Sequence, residues 1–359
     1  MAKTFLPFLI GLGILAAVAA SGQDKLAGGP FVVNVSQKSA TIGWLVDEGE
    51  VTLTGAPGEA PKTVPALRAR HTTITGLRPD ATYKYSVPGH PEATGAFKTA
   101  GAAGTTSYEF VVYGDNRTRP DVHRSVIAAI LKYASPDFIV QTGDMVADGA
   151  DSALWPEFFE IEAPLLRKTA FYPSIGNHER NNSNYFDFFN ARPYYSFTWG
   201  TSHFSVIDSD INNVSPGQVG RDAYWQEQTR WLEDDLAKSQ NAEFRFVVAH
   251  HPPITAVSNR QGDNPHMTAL MPMFEKYKVT AGLFGHDHNY QHYLKNGVHY
   301  IITGGGGAPL YDVDKPPAGI TVKAMETENF VIVKVNGKSL TAHALKPNGE
   351  SIDVTTISH

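Results

Sequence analysis

Five short apolar runs in this 359-residue chain end in side chains that can hold metal ions or move protons. Tyr113-Gly114 leads into Asp115, Thr142-Gly143 into Asp144, and Ile175-Gly176 into Asn177-His178-Glu179. Val247-Val248-Ala249 leads into His250-His251, and Phe284-Gly285 into His286-Asp287-His288. One Gly-Asp after a strand is most simply a turn, because aspartate bonds readily to its own backbone there. Five strand exits carrying carboxylates, an amide oxygen and imidazoles form a donor set instead, and the glycines let the backbone come close to whatever those side chains surround. With no cysteine in the chain, zinc ribbons, iron–sulfur clusters, disulfides and thiolate nucleophiles are excluded, so a bound metal must be held by histidine, carboxylate, amide or water.

The elements that must position these residues alternate in type. Strand patterns at Phe110–Tyr113, Phe138–Gln141, Phe171–Ile175, His203–Ile207, Phe244–Ala249, Thr280–Phe284 and Val298–Thr303 are separated by helical stretches at Pro120–Ser135, Ala153–Lys168, Asp222–Gln240 and His266–Lys278. This predicts an α/β layered architecture in which ligands bind beyond the carboxyl ends of the strands. Val335-Asn336-Gly337 and Pro347-Asn348-Gly349 mark hairpins that complete the domain, which runs over 106–359. The polar insert Glu179–Tyr194 and the loop Asp208–Arg221 are placed to wall a cleft.

Upstream the pattern differs. Residues 1–22 combine Lys3, an apolar stretch and Ala17-Val18-Ala19, which predicts a cleaved export signal, no membrane anchor after cleavage and a secreted or periplasmic protein. Residues 29–100 read as a small all-β sandwich of short alternating strands. There Thr41-Ile42-Gly43-Trp44 and Leu77-Arg78-Pro79-Asp80-Ala81-Thr82-Tyr83 resemble a fibronectin type III domain, which implies that Trp44 and Tyr83 are core residues. The formal net charge of −6, with 30 Lys and Arg scattered rather than clustered, argues against nucleic acid as a partner and leaves a small substrate.

The order Gly-Asp, Gly-Asp, Gly-Asn-His-Glu, Val-x-x-His, Gly-His-x-His resembles the calcineurin-like metallophosphoesterases, and the preceding β-domain points to the purple acid phosphatase branch. That resemblance implies two metal ions (iron, manganese or zinc) bridged by Asp144. It implies that Asp115 and His288 hold the first ion, that Asn177, His250 and His286 hold the second, and that His178 with Glu179 donates a proton or hydrogen bond. It also implies an acid phosphatase-like phosphomonoesterase working through a metal-bridged hydroxide. A carboxylate between two dications about 3.5–4 Å apart suits in-line phosphoryl displacement without a protein nucleophile.

The sequence departs from the family in two places. Arg117 stands where the broad family has a ligand histidine, and Ala147 stands where the purple phosphatases have a ligand tyrosine. The first ion is therefore short of a protein ligand, with His123 or water to fill the place. Arg117 has two readings: it grips the substrate phosphate, joining Asn177 and His178 in substrate binding, or it turns away to pair with Asp121 or Asp148. Gly304–Gly307 lacks the Lys-Ser/Thr ending of a P-loop and reads as a flexible strand-end loop. Tyr290 stands where a metallo-β-lactamase-type motif would need an aspartate. Two further functions compete with the leading one: a phosphodiesterase or nucleotidase of the same fold, and a non-catalytic adhesion protein with a vestigial hydrolase domain.

Overall fold

The structure is a computed structural model that describes residues 24–55, 58 and 60–358. The leader expected over residues 1–22 lies outside the described residues. The chain runs through β1 (Lys25–Val33), β2 (Ser39–Leu53), β3 (Lys62–Thr75), β4 (Thr82–Val87), β5 (His90–Lys98) and β6 (Ser107–Tyr113) before α1 (Pro120–Tyr133). It continues with β7 (Phe138–Gln141), α2 (Trp155–Leu166), β8 (Ala170–Pro173), α3 (Ser183–Phe189), β9 (Tyr195–Trp199), β10 (Ser202–Val206), α4 (Gln218–Lys238) and β11 (Phe244–Val248). Then come α5 (Pro265–Thr268), α6 (Met271–Lys276), β12 (Ala281–Phe284), β13 (Tyr290–Lys295), β14 (Val298–Thr303), β15 (Thr321–Met325), β16 (Phe330–Asn336), β17 (Ser339–Leu345) and β18 (Ser351–Ser358).

Two sheets stack face to face. The larger has nine strands in the order β18-β17-β16-β6-β7-β8-β1-β2-β3, and the smaller has seven in the order β15-β13-β14-β12-β11-β10-β9. Each contains a parallel block, β6-β7-β8-β1 in one and β14-β12-β11-β10 in the other. The period-2 alternation of a strand explains the layering. Phe110, Val112, Phe138 and Val140 face inward onto Phe204, Phe246 and Leu283 of the second sheet, whereas Val111, Tyr113 and Ile139 face outward onto α1, α2 and α3. Val247, Phe284 and Tyr300 likewise face α4 and α6. Helices thus cover both outer faces, and the strands buried on both sides are the apolar runs that the sequence predicts.

The helical stretch expected at His266–Lys278 is broken into α5 and α6. Pro272 sits in the first turn of α6, where its missing N–H is tolerated, and it disfavours helical backbone at the residue before it, so the helix restarts there. Within the polar insert the sequence also forms α3, capped by the Asn182 side chain on the Asn184 N–H. Its Tyr185, Phe188 and Phe189 pack into the outer core.

The N-terminal segment is strand-rich, as expected, and Tyr83 makes a corner by accepting the Arg78 N–H at 2.8 Å. Trp44 is only half-buried, so it is not the core residue that its position in the pattern implies; Tyr83, also half-buried, packs on Phe97 with ring centroids 5.9 Å apart. Strands β1–β3 are continuous with the hydrolase sheet through the β1–β8 pairing at Val32↔Ala170 and Val33↔Phe171. Their side chains Val32, Ala40 and Ile42, with Val35 between β1 and β2, share the inner core with Phe110 and Phe138. Deleting residues up to Ala100 removes Phe31, Val32, Val33, Ile42, Leu45 and Val46, all buried. At about 1.5–3 kcal/mol for each large side chain, the loss is comparable to the stability of a whole domain. The expected product has no cooperative thermal transition; a truncated protein that melts sharply near the parent's Tm would show that β8 seals itself as an edge.

Candidate metal centre

The parallel blocks of the two sheets bring their strand exits together. Asp115 follows β6, Asp144 follows β7, Asn177 and His178 follow β8, His250 follows β11, and His286 and His288 follow β12. Three of these residues have left-handed backbone: Asp115 at φ 56°, Asp144 at 57° and His286 at 71°. Such non-glycine conformations cost free energy and persist where the surroundings impose them. The neighbouring glycines allow the approach, since a Cβ on Gly176 would collide with Asp144 Oδ1 and one on Gly285 with Asp115 Oδ2.

The imidazoles are aimed by their outer nitrogens. His250 Nδ1 lies 2.8 Å from the Thr142 carbonyl oxygen and His288 Nδ1 lies 2.6 Å from that of Pro309. A carbonyl only accepts, so both Nδ1 atoms carry the proton and both Nε2 atoms present lone pairs in the neutral ring. His250 Nε2 points at Asn177 Oδ1 across 3.0 Å and at Asp144 Oδ1 across 3.4 Å, while His286 Nδ1 lies 3.1 Å from Asn177 Oδ1 and 3.2 Å from His250 Nε2. His288 Nε2 faces Asp115 Oδ1 at 3.5 Å, and that carboxylate oxygen is buried without any hydrogen-bond partner. Acceptors converging on acceptors, with an orphaned carboxylate oxygen among them, are stabilised by cations between them. The donor set fits metal ions on this ground. Two overlapping clusters, Asp115-Asp144-His250 and His250-His251-His286, each bring their ligand atoms within 4.8 Å of one another.

The electrostatics agree. Burial, followed by the Asp144 charge, pushes the Asp115 carboxyl well above the usual range. Burial would also raise Asp144, but His250, His178 and Arg117 outweigh it and hold that carboxyl low. Burial pushes His250 and His286 down and His288 down to about 3, which keeps these rings neutral and free to ligate.

Several expected residues take other positions. Glu179 does not face the cluster: it is fully buried and accepts the backbone N–H groups of Gly176 (2.7 Å), Asp144 (2.9 Å) and Met145 (2.7 Å), so it shapes the Asp144 loop. His123 is buried under the site, with Nε2 2.8 Å from Glu162 Oε1 and 2.8 Å from Asn116 Nδ2. Tyr113 donates to the same Glu162. This carboxylate, 39 positions along the chain, is the partner of His123 in place of the expected metal. Gly304–Gly307 is a buried, hydrogen-bonded saddle rather than a flexible loop, with Gly306 N on the Gly114 carbonyl and Ala308 N on that of Asp115. Tyr290 and His292 turn away from the centre to Asp353. His178 lies at the edge, with Nδ1 on the Ala147 carbonyl at 2.7 Å, its backbone N–H on Asp144 Oδ1 at 2.9 Å, and Nε2 3.9 Å from Asp144 Oδ2.

Arg117 turns inward. Its Nε is 3.3 Å from Asp144 Oδ2 and its Nη2 is 3.4 Å from His288 Nε2, while Asp148, one of its expected alternative partners, pairs with Arg180 at 3.1 Å. Three residues near the centre had no role in the sequence reading. His251 joins the second cluster, with Nδ1 2.9 Å from Ser209 Oγ, and the doubled histidine was its only signal. Arg260 donates to the His286 carbonyl and to Asp287 and lies over the Tyr311 ring, which stacks on His288 at 4.1 Å. Loop positions so far from the motifs carry no local pattern that would reveal this clamp.

The family model for calcineurin-like phosphoesterases matches residues 110–290, which holds every strand exit described above. The chain belongs to that family. It is 25% identical over 316 residues to tartrate-resistant acid phosphatase type 5 of Sus scrofa, covering 74% of this chain and 92% of that one. It is 28% identical over 245 residues to purple acid phosphatase 7 of Arabidopsis thaliana, covering 57% and 71%. Its fold superposes on the purple acid phosphatase of yellow lupin (Lupinus luteus) seeds with a TM-score of 0.70 at 16% identity, over 94% of this chain and 74% of that one. This phosphoesterase is a phosphoric ester hydrolase of mixed α/β sandwich fold. Among the described residues no helix is long and apolar enough to cross a membrane.

One further strand exit carries a pH dependence. Asp208, after β10, is fully buried, and burial pushes its carboxyl up to about 7. An aspartate raised above its unfolded value of about 3.9 contributes stability that is complete below that value and is lost as pH rises through the folded pKa. Asp208→Asn keeps an acceptor for the Asp210 N–H. It is expected to reduce the fall in stability between about pH 5 and about pH 8 by on the order of 2–4 kcal/mol. An identical pH profile of Tm in variant and parent would locate the titration elsewhere.

Proposed function

We propose that this phosphoesterase hydrolyses phosphate monoesters at a two-cation centre. In this reading Asp144 bridges, Asp115 and His288 complete one site, Asn177, His250 and His286 complete the other, and iron, manganese or zinc fills both. The observation that carries it is the convergence of acceptors at the strand exits, with Asp115 Oδ1 buried without a hydrogen-bond partner and Asn177 Oδ1 3.0 Å from the lone pair of His250 Nε2. Bound there, two cations would supply Lewis acidity for the phosphoryl oxygens and acidify the attacking water. The chain's own groups do the rest. Arg117 offers a planar fork of donors to the phosphoryl oxygens. In its imidazolium form His178, with Nδ1–H on the Ala147 carbonyl, gives its Nε2 proton to the departing alkoxide: the P–O bond to the attacking oxygen forms as that water loses a proton to solvent, the P–OR bond breaks, the alcohol leaves neutral and the ring is left neutral. The cationic surround of Arg117 favours the dianion of a monoester over the monoanion of a diester. The leader-like residues 1–22 support export of the enzyme.

The test is phosphate release from a panel of mono- and diesters before and after chelation. Dialysis against a chelator is expected to abolish turnover, and reconstitution with manganese, zinc or iron is expected to restore it, fastest on monoesters. Undiminished hydrolysis by chelated protein would overturn the reading. Absence of turnover with every metal would favour a vestigial hydrolase domain.

A further inference from the structure

Ala147 and Arg117, the two departures from the family pattern, border one cavity of about 310 Å³ beside the metal centre. Met145, Val146, Leu154, Phe158 and Ile161 form the apolar part of its wall, and polar residues that include Glu157 line the rest. Met145, Val146, Phe158 and Ile161 are buried core residues, so they form a fixed surface, and Leu154 is half-exposed at the side. Arg117 is the wall shared between this cavity and the centre, because its guanidinium reaches Asp144 Oδ2 at 3.3 Å. On the opposite side the Ala147 carbonyl fixes His178 at 2.7 Å.

We propose that this cavity receives the alcohol portion of the substrate, and that it selects phosphate monoesters of compact apolar alcohols, with room for a single aromatic ring. The inference rests on the hydrolytic reading above, because that reading puts the phosphoryl group between Arg117 and His178. The leaving oxygen must then lie within reach of His178 Nε2, and the carbon beyond it points along Ala147 into the cavity. A bulky side chain at position 147 would close that path, and a methyl group leaves it open. The volume is at the lower end for small-molecule pockets and suits a single ring better than a nucleoside with its sugar.

The test compares benzyl phosphate with methyl phosphate on the metal-loaded full chain. The two alcohols are of similar acidity, so a difference in rate reports the ring rather than the leaving group. Benzyl phosphate is expected to have the higher kcat/KM by about tenfold or more, chiefly through KM. Leu154→Trp narrows the cavity and is expected to erase most of that ratio. Leu154→Ala widens it and is expected to shift preference towards 1-naphthylmethyl phosphate. Equal benzyl-to-methyl ratios in the parent and both variants, with turnover present, would overturn the pocket while leaving the hydrolytic reading intact. If no ester is turned over, that reading fails, and the pocket is then read by the thermal shift with benzylphosphonate against methylphosphonate. A ring-dependent shift lost in Leu154→Trp sustains the proposal, and no ring dependence overturns it.

Discussion

Asp144→Asn is expected to lower kcat for phosphate-ester hydrolysis by about 10³-fold or more, on the order of 4 kcal/mol, with the fold intact. The carboxylate has two separate jobs. Its Oδ1 accepts the His178 backbone N–H at 2.9 Å, which holds the β8 exit in place, and an asparagine oxygen can keep that bond. Its charge faces His250 at 3.4 Å and Arg117 at 3.3 Å, and asparagine cannot replace it. The loop itself is held by Glu179 through three backbone N–H groups, independently of the Asp144 side chain. A Tm within a few degrees of the parent's, with metal content reduced and turnover lost, is the expected combination. Full activity in this variant, or in Asp144→Ala, would remove Asp144 from the chemistry.

The donor set was legible in the sequence because each ligand sits at the end of a short apolar run, and four of the five exits carry a glycine directly before the first donor. Parallel strands deliver such ends to one edge whatever the intervening lengths, so local patterns sufficed to find Asp115, Asp144, Asn177, His250, His286 and His288. Partners that depend on packing were not legible. His123 meets Glu162 because α1 and α2 lie side by side on the sheet, and Arg260 meets Tyr311 because two loops fold over β12. The pairing of β1 with β8 is of the same kind. Strand alternation at Phe31–Val33 shows a half-buried strand but does not say which sheet it joins, and so the N-terminal strands read as a separate sandwich although they share a core with the hydrolase. Pro272 is the local signal for the break between α5 and α6 within 266–278, where apolar spacing alone predicts one helix.

Arg117 carries the second large effect. Its guanidinium spans Asp144 Oδ2 and His288 Nε2, at 3.3 and 3.4 Å, and so lies where the first cation's ligands converge. A guanidinium next to metal ions is costly unless an anion joins them, and its fork matches the oxygens of a phosphoryl group. With substrate bound, Arg117 is expected to release Asp144 and His288 to the cation and grip the phosphoryl oxygens. Arg117→Ala should then reduce kcat/KM by about 2–4 kcal/mol, roughly 30- to 1000-fold, while metal content stays unchanged. The opposite case is distinguishable: if Arg117 only holds the two ligands together before metal arrives, its removal should tighten first-site metal binding and leave kcat/KM unchanged at saturating metal. Arg117→His separates the two further, because it restores a metal ligand while removing the fork. Tighter metal binding with weakened phosphate inhibition is expected. Unchanged kinetics and phosphate affinity in both variants would confine Arg117 to the architecture of the site.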